Sequence, residues 1–124
     1  MSSAVGDNLA VGIGPITVLC VDDDRTVLAA IRTLLGTNAL PLVVEVAESG
    51  DEALEILDEL AERGLGVAVV VSDYIMPGMK GDELLARIHQ RDPRIVNILL
   101  TGQSDVQGVK RAINDAALYR FLEK

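Results

Sequence analysis

Carboxylates follow two apolar segments of this chain. The acidic triplet 22–24 comes directly after the apolar run 16–21, and Asp73 comes two residues after the run 67–71. Two like unit charges 4 Å apart repel by about 4 kcal/mol at an effective dielectric constant near 20, so converging carboxylates need protonation or a cation. Mg²⁺ suits such a site, because it takes a few carboxylates and keeps its other positions for water and phosphate oxygens.

A hydroxyl group and an ammonium group also follow apolar runs, further along the chain. Thr101 follows the apolar run 95–100, and Lys124 follows the run 118–122. With a dication, these groups would form a phosphoryl site: Thr101 donates a hydrogen bond, Lys124 neutralises oxygens and a carboxylate attacks. Each residue alone has a plainer interpretation, as a helix cap, a turn residue or a solvated charge. Their shared position after separate strands favours the site.

The elements that would position these groups alternate along the chain. Short apolar runs rich in β-branched residues predict strands, and apolar residues at helical spacing predict helices between them. The predicted strands are 16–21, 42–47, 67–71 (ending at 72–73), 95–100 and 118–122, and the predicted helices are 26–35, a helix opened by the capping box 49–52, 81–91 and 105–115. The βαβαβαβαβ pattern predicts an α/β fold, a doubly wound parallel sheet with helices on both faces. Ligands of such sheets bind beyond the carboxyl ends of the strands.

Composition limits the class of protein. The chain has 124 residues, 49% of them hydrophobic, and a formal net charge of -8, so it can form a packed core and its acidic surface disfavours direct nucleic-acid binding. Residues 1–15 lack a basic start and are expected to form a flexible leader, and no apolar run is long enough to span a membrane. The single cysteine, Cys20, favours a reducing compartment, and the expected location is cytoplasmic.

Four motifs together resemble the receiver domain of bacterial two-component response regulators, the CheY-like family. They are Val-Asp-Asp-Asp at 21–24, Val-Ser-Asp-Tyr-Ile-Met-Pro-Gly-Met-Lys-Gly at 71–81, Leu-Leu-Thr-Gly at 99–102 and Phe-Leu-Glu-Lys at 121–124. The resemblance covers residues 16–124. It implies a flavodoxin-like five-stranded sheet of order 2-1-3-4-5.

The resemblance assigns the acidic residues. It implies that Asp73 is the phosphoacceptor. Asp22 and Asp23, with Asp73 and the main-chain carbonyl of Ile75, would hold Mg²⁺. Asp24 is expected to be a helix cap or a solvated neighbour.

The resemblance also implies roles for the other motif residues. Thr101 matches the switch hydroxyl, Lys124 the lysine that pairs with the phosphoryl group, and Phe121 the switch aromatic residue. Pro77 is expected to shape the loop by fixing φ, and Gly81 by allowing an unusual φ.

The implied function is that of a phosphoacceptor that assists its own phosphorylation and dephosphorylation, and not of an enzyme that turns over an external substrate. The expected partners are a sensor histidine kinase or phosphotransfer protein and a C-terminal output domain. Residues 16–124 are expected to form a receiver domain truncated after its fifth strand, without the fifth helix. Apolar surface near the first and fifth strands would then favour a homodimer.

Two alternatives remain open at this point. Asp22 to Thr26 also matches Asp-x-Asp-x-Thr, the opening motif of haloacid-dehalogenase-type phosphatases, with Asp22 as nucleophile and Asp24 as general acid. That family needs a further acidic motif after its lysine and leaves Asp73 unexplained. The other alternative is a receiver-like protein-binding module that no longer takes phosphate, against which the complete acid, Thr101 and Lys124 set argues.

Overall fold

Strands and helices alternate in the computed structural model, which describes residues 15–36 and 41–101 and the backbone of strand 120–123. The elements are β1 (Ile16–Val21), α1 (Arg25–Gly36), β2 (Leu42–Ala47), α2 (Gly50–Glu62), β3 (Val69–Asp73), α3 (Gly81–Arg91), β4 (Val96–Thr101) and β5 (Arg120–Glu123). The predicted leader, the predicted helix 105–115 and Lys124 lie outside the described residues.

The strands form one parallel sheet in the order β2-β1-β3-β4-β5, which confirms the predicted flavodoxin-like topology. Because all the strands run in the same direction, their carboxyl ends meet at one edge. The register places Val21 beside Ser72 and Asp73 beside Leu100. The acidic residues that follow β1 therefore arrive next to the end of β3.

Three strand boundaries differ from the prediction. β3 begins at Val69 and not at Val67, β4 covers Val96–Thr101, and β5 covers Arg120–Glu123. The end of β3 at Asp73 agrees with the prediction, whereas β4 extends one residue beyond it, to Thr101. Hydrophobicity alone misses the end of β4, because a polar residue can continue the main-chain hydrogen bonds of a strand.

The sheet separates two apolar clusters. On one face, Leu19 and Val21 of β1 pack with residues of α2 and α3, including Leu57 and Leu85. On the other face, Val18 and Cys20 pack with Leu28 of α1, and half-buried side chains of β2 and β3 surround them. Alternation of side chains along β1 produces this division, since successive residues point to opposite faces.

The helix ends follow local sequence signals. The Ser49 hydroxyl accepts a hydrogen bond from the Glu52 N–H at 3.1 Å, as the predicted capping box requires, while the Glu52 carboxylate accepts one from the Glu48 N–H at 2.6 Å. α3 has the predicted bounds, beginning at Gly81 and ending before Pro93. Among the helices of the described segments, none has both the length and the apolar character needed to cross a bilayer.

Candidate functional site

Three carboxylates converge at the carboxyl edge of the sheet. Asp22, Asp23 and Asp73 each offer an oxygen, and these oxygens lie within 4.8 Å of one another. Asp22 is 1% exposed and Asp73 is 6% exposed, whereas Asp23 is exposed. The neighbouring position of β1 and β3 creates the cluster, because Asp22 follows Val21 and Asp73 follows the Ser72 that pairs with it.

Backbone hydrogen bonds position Asp22. Its N–H donates to the main-chain oxygen of Ala47 at 3.1 Å, which extends the pairing of β1 with β2 by one residue. Its Oδ1 accepts a hydrogen bond from the Asp24 N–H at 2.9 Å. The carboxylate is thereby oriented at the turn between β1 and α1.

Asp24 caps the first helix. Its Oδ1 accepts from the Thr26 N–H at 2.9 Å, and its main-chain oxygen accepts from the Leu28 N–H at 3.2 Å. These are the bonds expected of a helix N-cap. The Asp24 carboxylate therefore caps a helix, whereas the phosphatase alternative would make it a general acid.

The backbone on either side of Asp73 is held by neighbouring segments. The Ser72 hydroxyl donates to the main-chain oxygen of Asp73 at 2.9 Å. The Tyr74 N–H donates to the main-chain oxygen of Leu100, and the Gly81 N–H donates to that of Tyr74, both at 2.9 Å. β4 and the start of α3 thus fix the direction in which the chain leaves Asp73.

Gly81 has a different role from the one predicted. The glycine of this loop with positive φ is Gly78, at +78°, while Gly81 is not among the described glycines with positive φ. A β-carbon at Gly81 would instead collide with the main-chain carbonyl of Asp73 and lie 3.0 Å from Leu99. Gly81 is therefore needed for the close approach of α3 to the end of β3. Such an approach leaves no signal in a single sequence.

The loop between β3 and α3 is anchored by apolar side chains. Met76 is 4% exposed and belongs to the same apolar cluster as Leu57 and Leu85, and Met79 packs against that cluster. Tyr74 is buried, and the Lys80 ammonium lies 5.7 Å from the centre of its ring. That contact was not predicted from the sequence. The side chain of Ile75, by contrast, is 56% exposed.

The other predicted site residues are placed only by their strands. Thr101 ends β4 and pairs with Glu123 of β5, and Phe121 pairs with Leu99. Because Leu100 pairs with Asp73, Thr101 lies one residue further along at the same edge. The side chains of Thr101 and Phe121, like the whole of Lys124, lie outside the described part of the structure.

The carboxylate cluster fits a hard dication. Its three donors are oxygens from short acidic side chains, and two of these side chains are buried. Carboxylates this close repel one another, and a divalent cation would remove that repulsion. Oxygen donors in this number are the ligands that Mg²⁺ takes when it leaves other positions to water or phosphate.

Cys20 is not a candidate nucleophile. It is fully buried in β1, and burial raises the pKa of its thiol to about 11, although the positive charge of Arg32 acts in the opposite direction. The thiol is therefore protonated at neutral pH. A protonated, buried thiol is unreactive.

Comparisons with known proteins agree with this fold. The hydrogenase transcriptional regulatory protein HoxA of Cupriavidus necator is 34% identical over 87% of this chain and 21% of HoxA. The sensor kinase CckA of Brucella abortus is 37% identical over 90% of this chain and 11% of CckA. The chain thus spans about a fifth or less of these relatives.

Structural similarity leads to the same family. The signal receiver domain of an HD domain-containing protein from Pseudomonas fluorescens Pf-5 superposes with a TM-score of 0.79 and 35% identity, over 90% of this chain and 83% of that chain. Residues 18–124 match the family model described as the response regulator receiver domain. The match includes the carboxylate cluster and the strands that position it, so the chain belongs to the response regulator receiver domain family.

Proposed function

We propose that Asp73 accepts a phosphoryl group from the phosphohistidine of a sensor histidine kinase or phosphotransfer protein. The observation that carries this proposal is the convergence of Asp22, Asp23 and Asp73 at the carboxyl edge of a receiver-family sheet. Asp73 is the member of the cluster that ends the third strand. The fixed backbone on both sides of it makes it the best-positioned nucleophile.

The transfer is a single displacement at phosphorus. An oxygen of the Asp73 carboxylate forms a bond to phosphorus while the phosphorus–nitrogen bond of the phosphohistidine breaks, and the electron pair of that bond returns to the imidazole nitrogen. The product is an aspartyl phosphate. Catalysis of such a transfer consists mainly of positioning and of neutralising charge on the phosphoryl oxygens.

Mg²⁺ would be held by Asp22, Asp23, Asp73 and the main-chain carbonyl of Ile75. When bound, the ion would neutralise negative charge on the phosphoryl oxygens. Asp22 contributes an oriented carboxylate, because its Oδ1 is already fixed by the Asp24 N–H. Asp23 is exposed, so it would be the ligand on the solvent side.

Thr101 and Lys124 would complete the site. Thr101 is the last residue of β4, at the edge that carries Asp73, and Lys124 follows β5 directly in the sequence. We infer that Lys124 pairs with a phosphoryl oxygen and that Thr101 donates a hydrogen bond to another. Movement of Thr101 would open space that Phe121 fills, and this exchange would report phosphorylation to an output domain or partner.

The cellular setting is part of the same proposal. Residues 16–124 would act as a receiver module within a larger two-component protein or beside a separate partner, as the short share of HoxA and CckA that the chain matches suggests. The module would work in the cytoplasm, assist its own dephosphorylation and form a homodimer. It would not turn over an external substrate.

The test is phosphorylation by a small-molecule donor. The chain is incubated with acetyl phosphate and MgCl₂, and its intact mass is followed over time. We expect one added phosphoryl group that requires Mg²⁺ and is absent from Asp73→Asn. Phosphorylation of Asp73→Asn at the wild-type rate would contradict the proposal.

A second experiment tests the switch. Beryllofluoride with Mg²⁺ mimics the phosphoryl group, and we expect shifts of the backbone amide resonances at Thr101 and Phe121. Unchanged amide spectra at saturating beryllofluoride would show that the fold has no second state.

A further inference from the structure

Among the described strands, none pairs with the outer edge of β2. β2 is terminal in the sheet, and within the described segments β1 is the one strand that pairs with it. The N–H groups of Ile16 and Asp22 donate to the main-chain oxygens of Pro41 and Ala47. Because backbone groups alternate in direction along a strand, the odd-numbered residues of β2 face β1. The N–H and carbonyl groups of residues 42, 44 and 46 consequently point outward.

The side chain of Arg32 occupies the outward-facing carbonyl in the middle of this edge, which is that of Val44. Its Nη2 donates a hydrogen bond to the main-chain oxygen of Val44 at 3.2 Å, reaching from α1 to the strand. Val44 is in the middle of the three outward-facing residues. Natural proteins protect open edges with charged side chains, because an open edge pairs readily with another strand.

The sequence of β2 suits pairing with itself. Leu-Val-Val-Glu-Val-Ala contains three β-branched residues and one charge, and Val43 is 39% exposed. An antiparallel pair of two β2 strands centred on Val44 places Val44 opposite its own copy and Leu42 opposite Val46. The charged Glu45 then faces Val43 of the second copy, so no like charges are opposed.

The helices beside the edge permit this arrangement. α1 contacts both β1 and β2, so in a continuous sheet the two α1 helices would lie about two strand spacings apart, roughly 10 Å. Helices pack at about 8–10 Å. The side of α1 that flanks β2 carries the small residues Ala29 and Thr33, which line a groove of about 320 Å³ together with Arg32 and Val46.

We propose that the outer edge of β2 is a self-association surface for a second copy of this chain, in an antiparallel register centred on Val44, and that Arg32 limits its use by occupying the Val44 carbonyl. Each copy must give up its Arg32 bond before the central strand hydrogen bonds can form. The dimer is therefore weak while Arg32 is present and stronger when it is removed.

Removal of Arg32 tests whether its bond to the Val44 carbonyl limits self-association. In sedimentation velocity over a concentration series, Arg32→Ala should lower the Kd of the dimer by about tenfold, since one hydrogen bond per copy no longer competes. Arg87→Ala is the matched control, because it also removes one positive charge from an exposed helical position. Circular dichroism confirms that both variants fold. Equal self-association of Arg32→Ala, Arg87→Ala and the wild type would overturn the proposal.

The register is tested on the Arg32→Ala background. Adding Val43→Glu places the new carboxylate opposite Glu45 of the second copy and should return the chain to monomer. Val43→Lys places an opposite charge there and should preserve the dimer. Gln90→Glu controls for the added negative charge, since Gln90 is exposed on α3, and it should also leave the dimer intact. A dimer that survives Val43→Glu would show that association uses a different surface or register, and would overturn the proposal.

Discussion

The start of α3 packs directly on the main-chain carbonyl of Asp73, at Gly81. A β-carbon there would lie well inside 3.0 Å of the Asp73 oxygen, which side chains do not tolerate without movement. The Gly81 N–H also donates to the Tyr74 carbonyl at 2.9 Å. Glycine at position 81 therefore sets the geometry of the candidate phosphoacceptor, although it contributes no chemical group.

The substitution Gly81→Ala should disturb both stability and chemistry. We expect the free energy of unfolding to fall by about 1–3 kcal/mol, as in other overpacked sites, and phosphorylation by acetyl phosphate to slow because the Asp73 backbone shifts. Urea denaturation and the intact-mass assay measure the two effects. Gly66→Ala is the control, because a β-carbon at Gly66 meets nothing within 4 Å. Equal behaviour of the two variants would refute the packing argument.

Mg²⁺ affinity should depend on the clustered carboxylates and not on their neighbour. Asp22→Asn and Asp23→Asn each remove a charged ligand and should weaken Mg²⁺ binding by about tenfold or more, measured by calorimetric titration. Asp24→Asn should bind Mg²⁺ nearly as well as the wild type, because asparagine caps helices about as well as aspartate. If Asp24→Asn weakened binding as much as Asp22→Asn, the assignment of ligands would be wrong.

The lifetime of the phosphorylated form should be sensitive to position 75. The Ile75 side chain is 56% exposed and has no polar atom with which to orient an attacking water. We expect Ile75→Asn to accelerate loss of the phosphoryl group, followed by intact mass after removal of the donor. Leu65→Asn, at another exposed apolar position, should leave the rate unchanged. Unaltered hydrolysis in Ile75→Asn would count against this role.

Stability should fall at alkaline pH through Cys20. The pKa of the thiol is about 11 in the folded chain against 9.0 for an ordinary thiol, so the unfolded chain loses its proton first as pH rises. The free energy of unfolding should therefore fall between about pH 9 and 11, and show no Cys20 contribution to pH dependence below 9. Denaturation of the wild type and Cys20→Ala across this range isolates the effect. A difference between them that is independent of pH would contradict the shift.

The sequence predicted those features that depend on local patterns. The bounds of α3 were correct because Gly81 and Pro93 delimit a helical pattern, and Ser49 identified the start of α2. The strand order and the meeting of Asp22 with Asp73 followed from alternation of elements and from the family motifs.

The sequence did not predict contacts in which one segment packs on, or bonds to, the main chain of another. The close packing of Gly81 on Asp73 and the bond from Arg32 to the Val44 carbonyl join segments that are distant in sequence. Neither contact requires a particular spacing of hydrophobic residues. The ends of β4 and β5 were missed for a related reason, since their last residues, Thr101 and Glu123, are polar but still pair with each other.

Chemical identification of the phosphorylated residue tests the central claim most directly. Borohydride reduces an aspartyl phosphate to homoserine, and mass spectrometry of the resulting peptides locates that residue. After treatment with acetyl phosphate and MgCl₂, we predict homoserine at position 73. Homoserine at position 22 would contradict the account and would instead support the phosphatase-type chemistry in which Asp22 is the nucleophile.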